Sequence, residues 1–508
     1  MSLLAIDMGS SSCKAVVYAL DGRILGETCH SYTPEVPAPS WAELPADIFW
    51  QAFRHVTRIL AGTVTSDPIE ALGISSHGET FVAVDDRNQP LSPAILNMDN
   101  RAITQAGRLN KTFDPKRIFE ITGLVVHPMY PLPKILWVRE HRPECFATAQ
   151  RFLPVPSYLL ARLGLPPCVD YSLASRFLAF DVRRKTWSDE ILAACDFDID
   201  RFPKPVPAGT VAGQLTSQVA TDLGLPSGTP VVVGGHDQPC AALGMGVVEP
   251  GRVSASLGTY ECLLAASREP LISETAYAAN LNTYCHVVPD CYVTLAYFPS
   301  GIMLEWFLRL LRNDRHEADH SVDRACSAWE SRAPAGPSGL LIAPHLLGTC
   351  NPDFDPRASG VIAGVRPATS AADVYKGILE GVACEFATMA ELLQRVTGTF
   401  RDVYITGGGC RSKLGLELRA ALSGCRLHHT SSSDAVCLGT AILAGVGAGK
   451  YRDIPRTIEQ LVHVVHTVDP DSAVADEYRG YMQQYRLLYA SLASVRASSS
   501  ASDSQGDS

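Results

Sequence analysis

Asp7, Gly9, Ser10, Ser11, Ser12 and Lys14 crowd into one short stretch near the start of the chain. A carboxylate at a strand end can hold a magnesium ion through water. The glycine lets backbone approach a phosphate, whose oxygens the N–H groups and hydroxyls can cradle, and Lys14 adds positive charge. A serine-rich hairpin turn without a ligand accounts for the same residues. The stretch does not read G-x-x-x-x-G-K-[ST], so it is not a P-loop. Gly258-Thr259 forms a second glycine-hydroxyl turn, and two such turns facing each other would grip phosphates from opposite sides.

The segment Val231–Gln238 reads VVVGGHDQ. Three β-branched residues make a buried strand, and two glycines are expected to end it. Asp237 then falls just past the carboxyl end, where α/β sheets place their sites. There a carboxylate can accept the proton of an attacking hydroxyl, and Gln238 can hold a neighbouring hydroxyl. Asp237 also fits the N-cap of a helix over Gln238–Leu243, so the residues alone leave both readings open. His236 is expected as a spacer or core group. Gly407, Gly408 and Gly409 follow a strand at Tyr404–Thr406 and precede a helix over Leu414–Leu422, with Ser412 between. Three glycines in a row let a flat ligand such as an adenine ring lie against the backbone. Gly439-Thr440-Ala441 is expected to let a helix pack against that same region.

Around these residues, Leu3–Asp7, Ala15–Tyr18 and Ile24–Gly26 read as strands with a hairpin turn at Asp21-Gly22. Phe49, Phe53, Val56 and Leu60 give helical spacing over Ile48–Ala61. Ile69–Ser75 and Thr80–Asp85 read as strands, and Pro131–Glu140 as a helix with Ile135, Leu136 and Val138 on its apolar side. Alternating elements indicate an α/β layered fold. Val253–Thr259 and the return strand Glu261–Ala265 restart the opening plan, which suggests two copies of roughly 240 residues each. The division falls near Gly244–Val253, giving units 1–247 and 248–493. The small polar stretch 494–508 is expected to be a disordered tail.

The 508 residues carry a net charge of −10, with 46% hydrophobic and 19% charged residues. That balance is ordinary for a globular enzyme, and no basic run marks a nucleic-acid binder. No apolar run approaches a membrane span. The opening residues lack the pattern of a signal peptide, so a cytoplasmic protein is expected. The 15 cysteines, among them Cys13, Cys29, Cys145, Cys168, Cys195 and Cys240, show no C-x-x-C spacing and are expected as reduced, mostly core thiols.

Taken in order, these pieces resemble the FGGY carbohydrate kinase family, which includes glycerol kinases, xylulokinases, ribulokinases and fuculokinases. The resemblance runs from Leu3 to Val465. It comprises the Asp7–Lys14 turn, Trp41-Ala42-Glu43 with Trp50, Asp99-x-Arg101, Lys134-x-x-Trp137, Gly235-x-Asp237, Gly258-Thr259, Glu380-Gly381-Val382-Ala383, Gly407-Gly408-Gly409 and Leu438-Gly439-Thr440-Ala441. It implies two ribonuclease-H-like domains of the actin/hexokinase/Hsp70 type, flanking a cleft for ATP and sugar. It further implies Asp237 as general base and Asp7 as the residue positioning magnesium. Ser10, Ser11, Ser12, Lys14, Gly258, Thr259, the three glycines and Ser412 would bind ATP. A homodimer is the expected assembly.

Three departures bear on the acceptor. Glycerol kinases place an arginine where this chain has Gly78, before Glu79-Thr80; Asn97 replaces the tryptophan of W-x-D-x-R; and Gly348–Pro352, reading GTCNP, replaces G-E-R-x-P. The expected acceptor is a sugar, ketose or polyol larger than glycerol, with a pentulose favoured, held by His77, Glu79, Asn97, Asp99, Asp237 and Gln238. His77 also reads as a core histidine. A non-catalytic sugar or nucleotide sensor is the alternative function; an actin-like ATPase acting on a partner protein lacks an appended peptide-binding domain.

Overall fold

The structure is a computed structural model that describes residues 1–311, 328–432 and 434–503. In the first half, β1 (Ser2–Met8), β2 (Ser12–Ala19) and β3 (Ile24–Ser31) form an antiparallel meander. Helix α1 (Asp47–Thr63) leads to β4 (Ile69–Ser76), parallel to β1. Helices α2 (Pro131–His141) and α3 (Tyr171–Ser175) precede β5 (Val211–Gln214), β6 (Pro230–His236) and α4 (Asp237–Gly244). The six-stranded sheet runs β5-β6-β4-β1-β2-β3.

The second half repeats the plan. Strands β7 (Arg252–Leu257), β8 (Tyr260–Ser267), β9 (Asn282–Cys285) and β10 (Tyr292–Pro299) are followed by α5 (Gly301–Leu311) and α6 (Ala371–Thr397). Then come β11 (Asp402–Thr406), α7 (Lys413–Ser423), β12 (Arg426–Thr430), α8 (Ala435–Gly447), β13 (Val464–Val468) and α9 (Ser472–Asp503). The seven-stranded sheet runs β9-β10-β8-β7-β11-β12-β13. In each half an antiparallel meander starts the sheet and its first strand pairs in parallel with a later one, β1 with β4 and β7 with β11. This is the duplicated plan that the sequence repeat suggests, with the ribonuclease-H-like form that the family resemblance implies.

Strand alternation dictates how the first sheet is covered. Leu4, Ile6 and Met8 point to one face and pack with Phe49, Phe53, Val56 and Leu60 of α1. Leu3 and Ala5 point to the other and pack with Leu438, Ala441, Ile442 and Ala444 of α8. A helix from the second half therefore completes the core of the first. Burying each large side chain of such a layer contributes roughly 1.5–3 kcal/mol.

Several local expectations shift. Glycines 234 and 235 do not end β6, which continues to His236; a Cβ on Gly234 would lie 2.3 Å from the Ile74 carbonyl oxygen, so close strand approach selects glycine there. The strand expected at Thr80–Asp85 is shortened to Phe81–Val84 and joins a separate small sheet, because Glu79 turns the chain with φ +61°. Residues 131–138 of α2 are buried all round, not on one side, since the helix is enclosed by packed neighbours. Helix α9 runs into the stretch expected as a tail, and residues 504–508 lie outside the described residues. Cys13, Cys168, Cys195 and Cys240 are buried free thiols and Cys145 is half-buried, whereas Cys29 is exposed on edge strand β3. Among the described residues, no helix is long and apolar enough to cross a membrane.

Candidate functional site

The β1–β2 turn puts Asp7 opposite Lys14 in the ladder, and Gly9 N–H closes it on the Ser12 carbonyl at 2.8 Å. Ser11 is exposed at the rim, and Ser10 and Ser12 are half-buried. Lys14 does not stand free: its ammonium pairs at 2.6 Å with Asp434, the N-cap of α8. Burial, and then the charges of Asp237 and Asp434, push the Asp7 carboxyl well above its usual range. The negative charge that Asp237 and Asp434 add around Asp7 would be offset by a hard divalent cation. Among the described residues no group of three or more potential ligands would hold a metal by itself. A cation here would take the rest of its shell from water and nucleotide phosphates, as magnesium commonly does.

Asp237 is the first residue of α4, with His236 at the N-cap position, so it sits where β6 delivers it and not as the cap. Its Oδ1 accepts from the Gln238 backbone N–H at 2.6 Å. Burial, with the neighbouring charge of Glu79, raises its carboxyl to about 7. The Gln238 side chain accepts from Ser256 on β7 at 3.4 Å and so bridges the halves. His236 lies 3.2 Å from Asp237, and burial keeps it neutral.

The structure reassigns two expected sugar ligands. His77 donates through Nδ1 to the Met8 carbonyl at 2.7 Å and accepts through Nε2 from Thr80, also at 2.7 Å, while Thr80 accepts from the Asn97 N–H. Both ring nitrogens are thus spent tying the 77–80 loop to β1, and burial lowers the ring's pKa. Asp99 is 0% exposed, and its oxygens accept from Ala42 N–H and the Arg101 guanidinium. Arg101 also bonds Glu43 and lies over Trp41 and Trp137, at 4.0 and 4.8 Å. The tryptophans, Glu43 and Asp99-x-Arg101 form a buried clasp in which the Asp99 oxygens are taken up by protein donors. Glu79 and Asn97 are brought together from behind by Lys134, which donates to the carbonyls of Leu96 at 2.5 Å and Glu79 at 3.3 Å. Burial pushes the Lys134 ammonium down to about 7.

Arg176, Tyr130 and Tyr284 join this region although nothing in the sequence marks them. Arg176 donates to Glu79 at 2.5 Å and lies over both tyrosine rings. Nothing in local spacing marks it; it follows the short α3, far in sequence from its partner. The altered 348–352 loop replaces an ion pair by amide bonds: Asn351 accepts from Tyr297 N–H and donates to the Asn280 carbonyl.

In the second half, a cavity of about 330 Å³ is lined by Gly258, Thr259, Gly408, Gly409 and Ser412. Leu257, Leu304, Leu308, Ile378, Leu379 and Val382 give it apolar walls, and Glu261 with Arg419 a polar end. Size and lining suit a purine nucleoside. Gly407 is not among the lining residues. It has φ +101°, and a Cβ would lie 2.6 Å from the Leu257 carbonyl oxygen, so conformation and packing against β7 select it. A Cβ on Gly409 would likewise meet Leu257 Cβ at 2.8 Å, whereas one on Gly408 would meet only the end of the Arg411 side chain, at 3.2 Å. The Ser412 hydroxyl is engaged by Glu330 and by the Gly415 N–H. Gly439 faces neither this cavity nor these glycines: its helix packs on α4 and the first sheet.

The sequence matches the FGGY family of carbohydrate kinases, with the N-terminal domain over residues 2–244 and the C-terminal domain over residues 253–448. It is 28% identical to the xylulose kinase of Escherichia coli K12, over 97% of this chain and 100% of that protein. It is 24% identical to the gluconokinase of Bacillus subtilis, over 94% of each. The structure superposes on a xyloylose kinase from Brucella ovis with a TM-score of 0.87 at 25% identity, covering 97% of this chain and 100% of that one. The xylulose kinase of Rhodospirillum rubrum shares the fold, with a TM-score of 0.85 at 24% identity over 97% and 99% of the two chains.

Proposed function

Because this chain belongs to the FGGY family of carbohydrate kinases and is an ATP-dependent sugar kinase, we propose that it phosphorylates a pentulose-like ketose with Asp237 as general base. The observation that carries this reading is the place of Asp237. Strand β6 and helix α4 hold its carboxyl, raised to about 7, near enough to Asp7 for their charges to interact. A base of that pKa can take a hydroxyl proton at neutral pH. The sugar hydroxyl hydrogen-bonds Asp237, loses its proton to it, and attacks the γ-phosphorus in line as the bond to the β–γ bridging oxygen breaks and ADP leaves. Gln238 and Asn97 orient the other hydroxyls. The β1–β2 turn with Ser10, Ser11, Ser12 and Lys14, and the turn at Gly258-Thr259, hold the phosphates, while the 330 Å³ cavity holds the nucleoside. The division into units 1–247 and 248–493 belongs to this reading, with closure between them excluding water.

Magnesium, held through Asp7, neutralises phosphate charge when bound. Asp7→Asn is therefore expected to raise the magnesium concentration for half-maximal activity by roughly 10–100-fold. A magnesium titration of initial rates checks this; an unchanged midpoint removes Asp7 from the ion's surroundings.

The function is tested by ADP release from ATP and magnesium across pentuloses, hexuloses, aldoses and polyols, with a no-sugar control. One or two ketoses should stimulate strongly. No stimulation by any of them, with ATP still bound, would end the sugar-kinase assignment of this site.

A further inference from the structure

Arg176 is 3% exposed, and its guanidinium is only partly satisfied: Nε donates to Glu79, whereas Nη1 has no partner. It lies 4.7 Å over the ring of Tyr284 and 5.2 Å over that of Tyr130. Two buried polar atoms beside it also lack partners, His236 Nδ1 and the Tyr284 hydroxyl, and Asn97 Oδ1 is a further unpaired acceptor. The His236 and Tyr284 rings are 5.7 Å apart, and His236 adjoins Asp237. Buried polar groups are almost always paired, so three orphans packed around these rings point to atoms that a ligand supplies. A Cβ on Gly78 would lie 2.9 Å from the His236 ring and 3.2 Å from Arg176 Cγ. An arginine at position 78 therefore cannot be accommodated; the space beside Glu79 is already filled by Arg176, reaching in from elsewhere in the chain.

We infer that Arg176 is a substrate-binding residue that selects neutral sugars, its free Nη1–H donating to a hydroxyl or carbonyl oxygen of the acceptor. This rests on the proposed sugar site at Asp237. Glu79 already neutralises the guanidinium, and Asp237 adds a further negative charge. A sugar acid would set its carboxylate against both, whereas a neutral ketose offers an acceptor oxygen without that repulsion. Asn97 Oδ1, an acceptor only, suits a hydroxyl of the same neutral molecule.

The test compares wild type, Arg176→Met and Arg176→Lys with D-xylulose, D-ribulose and D-gluconate, by ADP release and by the thermal midpoint shift each sugar causes. Wild type should respond to a ketose and not to gluconate. Arg176→Met should lose about 30-fold or more in kcat/KM for the ketose while Mg-ADP still raises its thermal midpoint. Arg176→Lys keeps the charge but not the reach of Nη1, and should raise the sugar KM about tenfold with the ATP KM unchanged. If the methionine variant does not fold, the lysine variant decides. A sugar KM within threefold of wild type in Arg176→Lys, or gluconate used as well as the ketoses, overturns the inference. If no sugar is phosphorylated, the kinase reading of the site falls, and the thermal shifts then decide this inference alone. A ketose shift lost in Arg176→Lys sustains it, and no ketose shift in wild type sinks it.

Discussion

Asp237→Asn is expected to lower kcat by about a thousandfold or more and to leave sugar and Mg-ADP binding near wild type. The amide keeps the shape and the hydrogen bond from Gln238 but cannot take a proton. A sensor would bind and respond unchanged, so the same variant separates the enzyme from that alternative. In wild type, burial and Glu79 hold the carboxyl at about 7. Above that pH the base is ionised and competent; below it, kcat/KM for the sugar falls roughly tenfold per unit. Asp237→Asn should abolish this acid limb. Stability moves the other way. A carboxyl whose folded pKa is raised binds more protons in the folded than in the unfolded chain between its unfolded and folded values. Stability therefore falls as pH rises through that window, and the cost remains above it. Removing the charge relieves that cost, so the thermal midpoint of Asp237→Asn at pH 8 should rise. Rates across pH 5–9 with matched thermal scans check both limbs. Retained turnover in the variant would remove Asp237 from the chemistry.

Gly439→Val should cost about 3 kcal/mol or more of stability and most of the activity. A Cβ on Gly439 would lie 1.9 Å from the Cys240 carbonyl oxygen, and one on Gly244 2.0 Å from that of Ala435. Helices α4 and α8 meet backbone to backbone, and neither contact involves a flexible side chain that could yield. Forcing them apart moves Asp237, which begins α4, and Asp434, which caps α8 and pairs with Lys14. The thermal midpoint is expected to drop by roughly 5–10 °C, with a parallel loss of ADP release. Gly439→Ala should show the same direction. An unchanged midpoint in both variants would mean that the helices do not cross this closely.

Strand and helix placement was legible because it depends on local period. The short apolar run of Leu3–Ile6 ending in Asp7 and the 3–4 spacing of Phe49, Phe53, Val56 and Leu60 name their elements without reference to anything distant. The glycine-hydroxyl turns and Asp237 were legible because a strand end followed by small residues fixes where a site can form. The glycine triplet was only half legible: sequence shows that a side chain is excluded, but not whether a ligand or Leu257 excludes it.

The sequence by itself determined the duplicated sheet plan, the two glycine-hydroxyl turns and the place of Asp237 at a strand end, all set by short-range geometry. Only the tertiary structure decided that His77 and Asp99 turn inward to hold the fold. It alone placed α8 on the first sheet and Arg176 in the space beside Gly78. The physical reason is common to all of these. A polar side chain's role is settled by which donor or acceptor lies within about 3 Å of it, and that neighbour is chosen by chain crossings far from it in sequence.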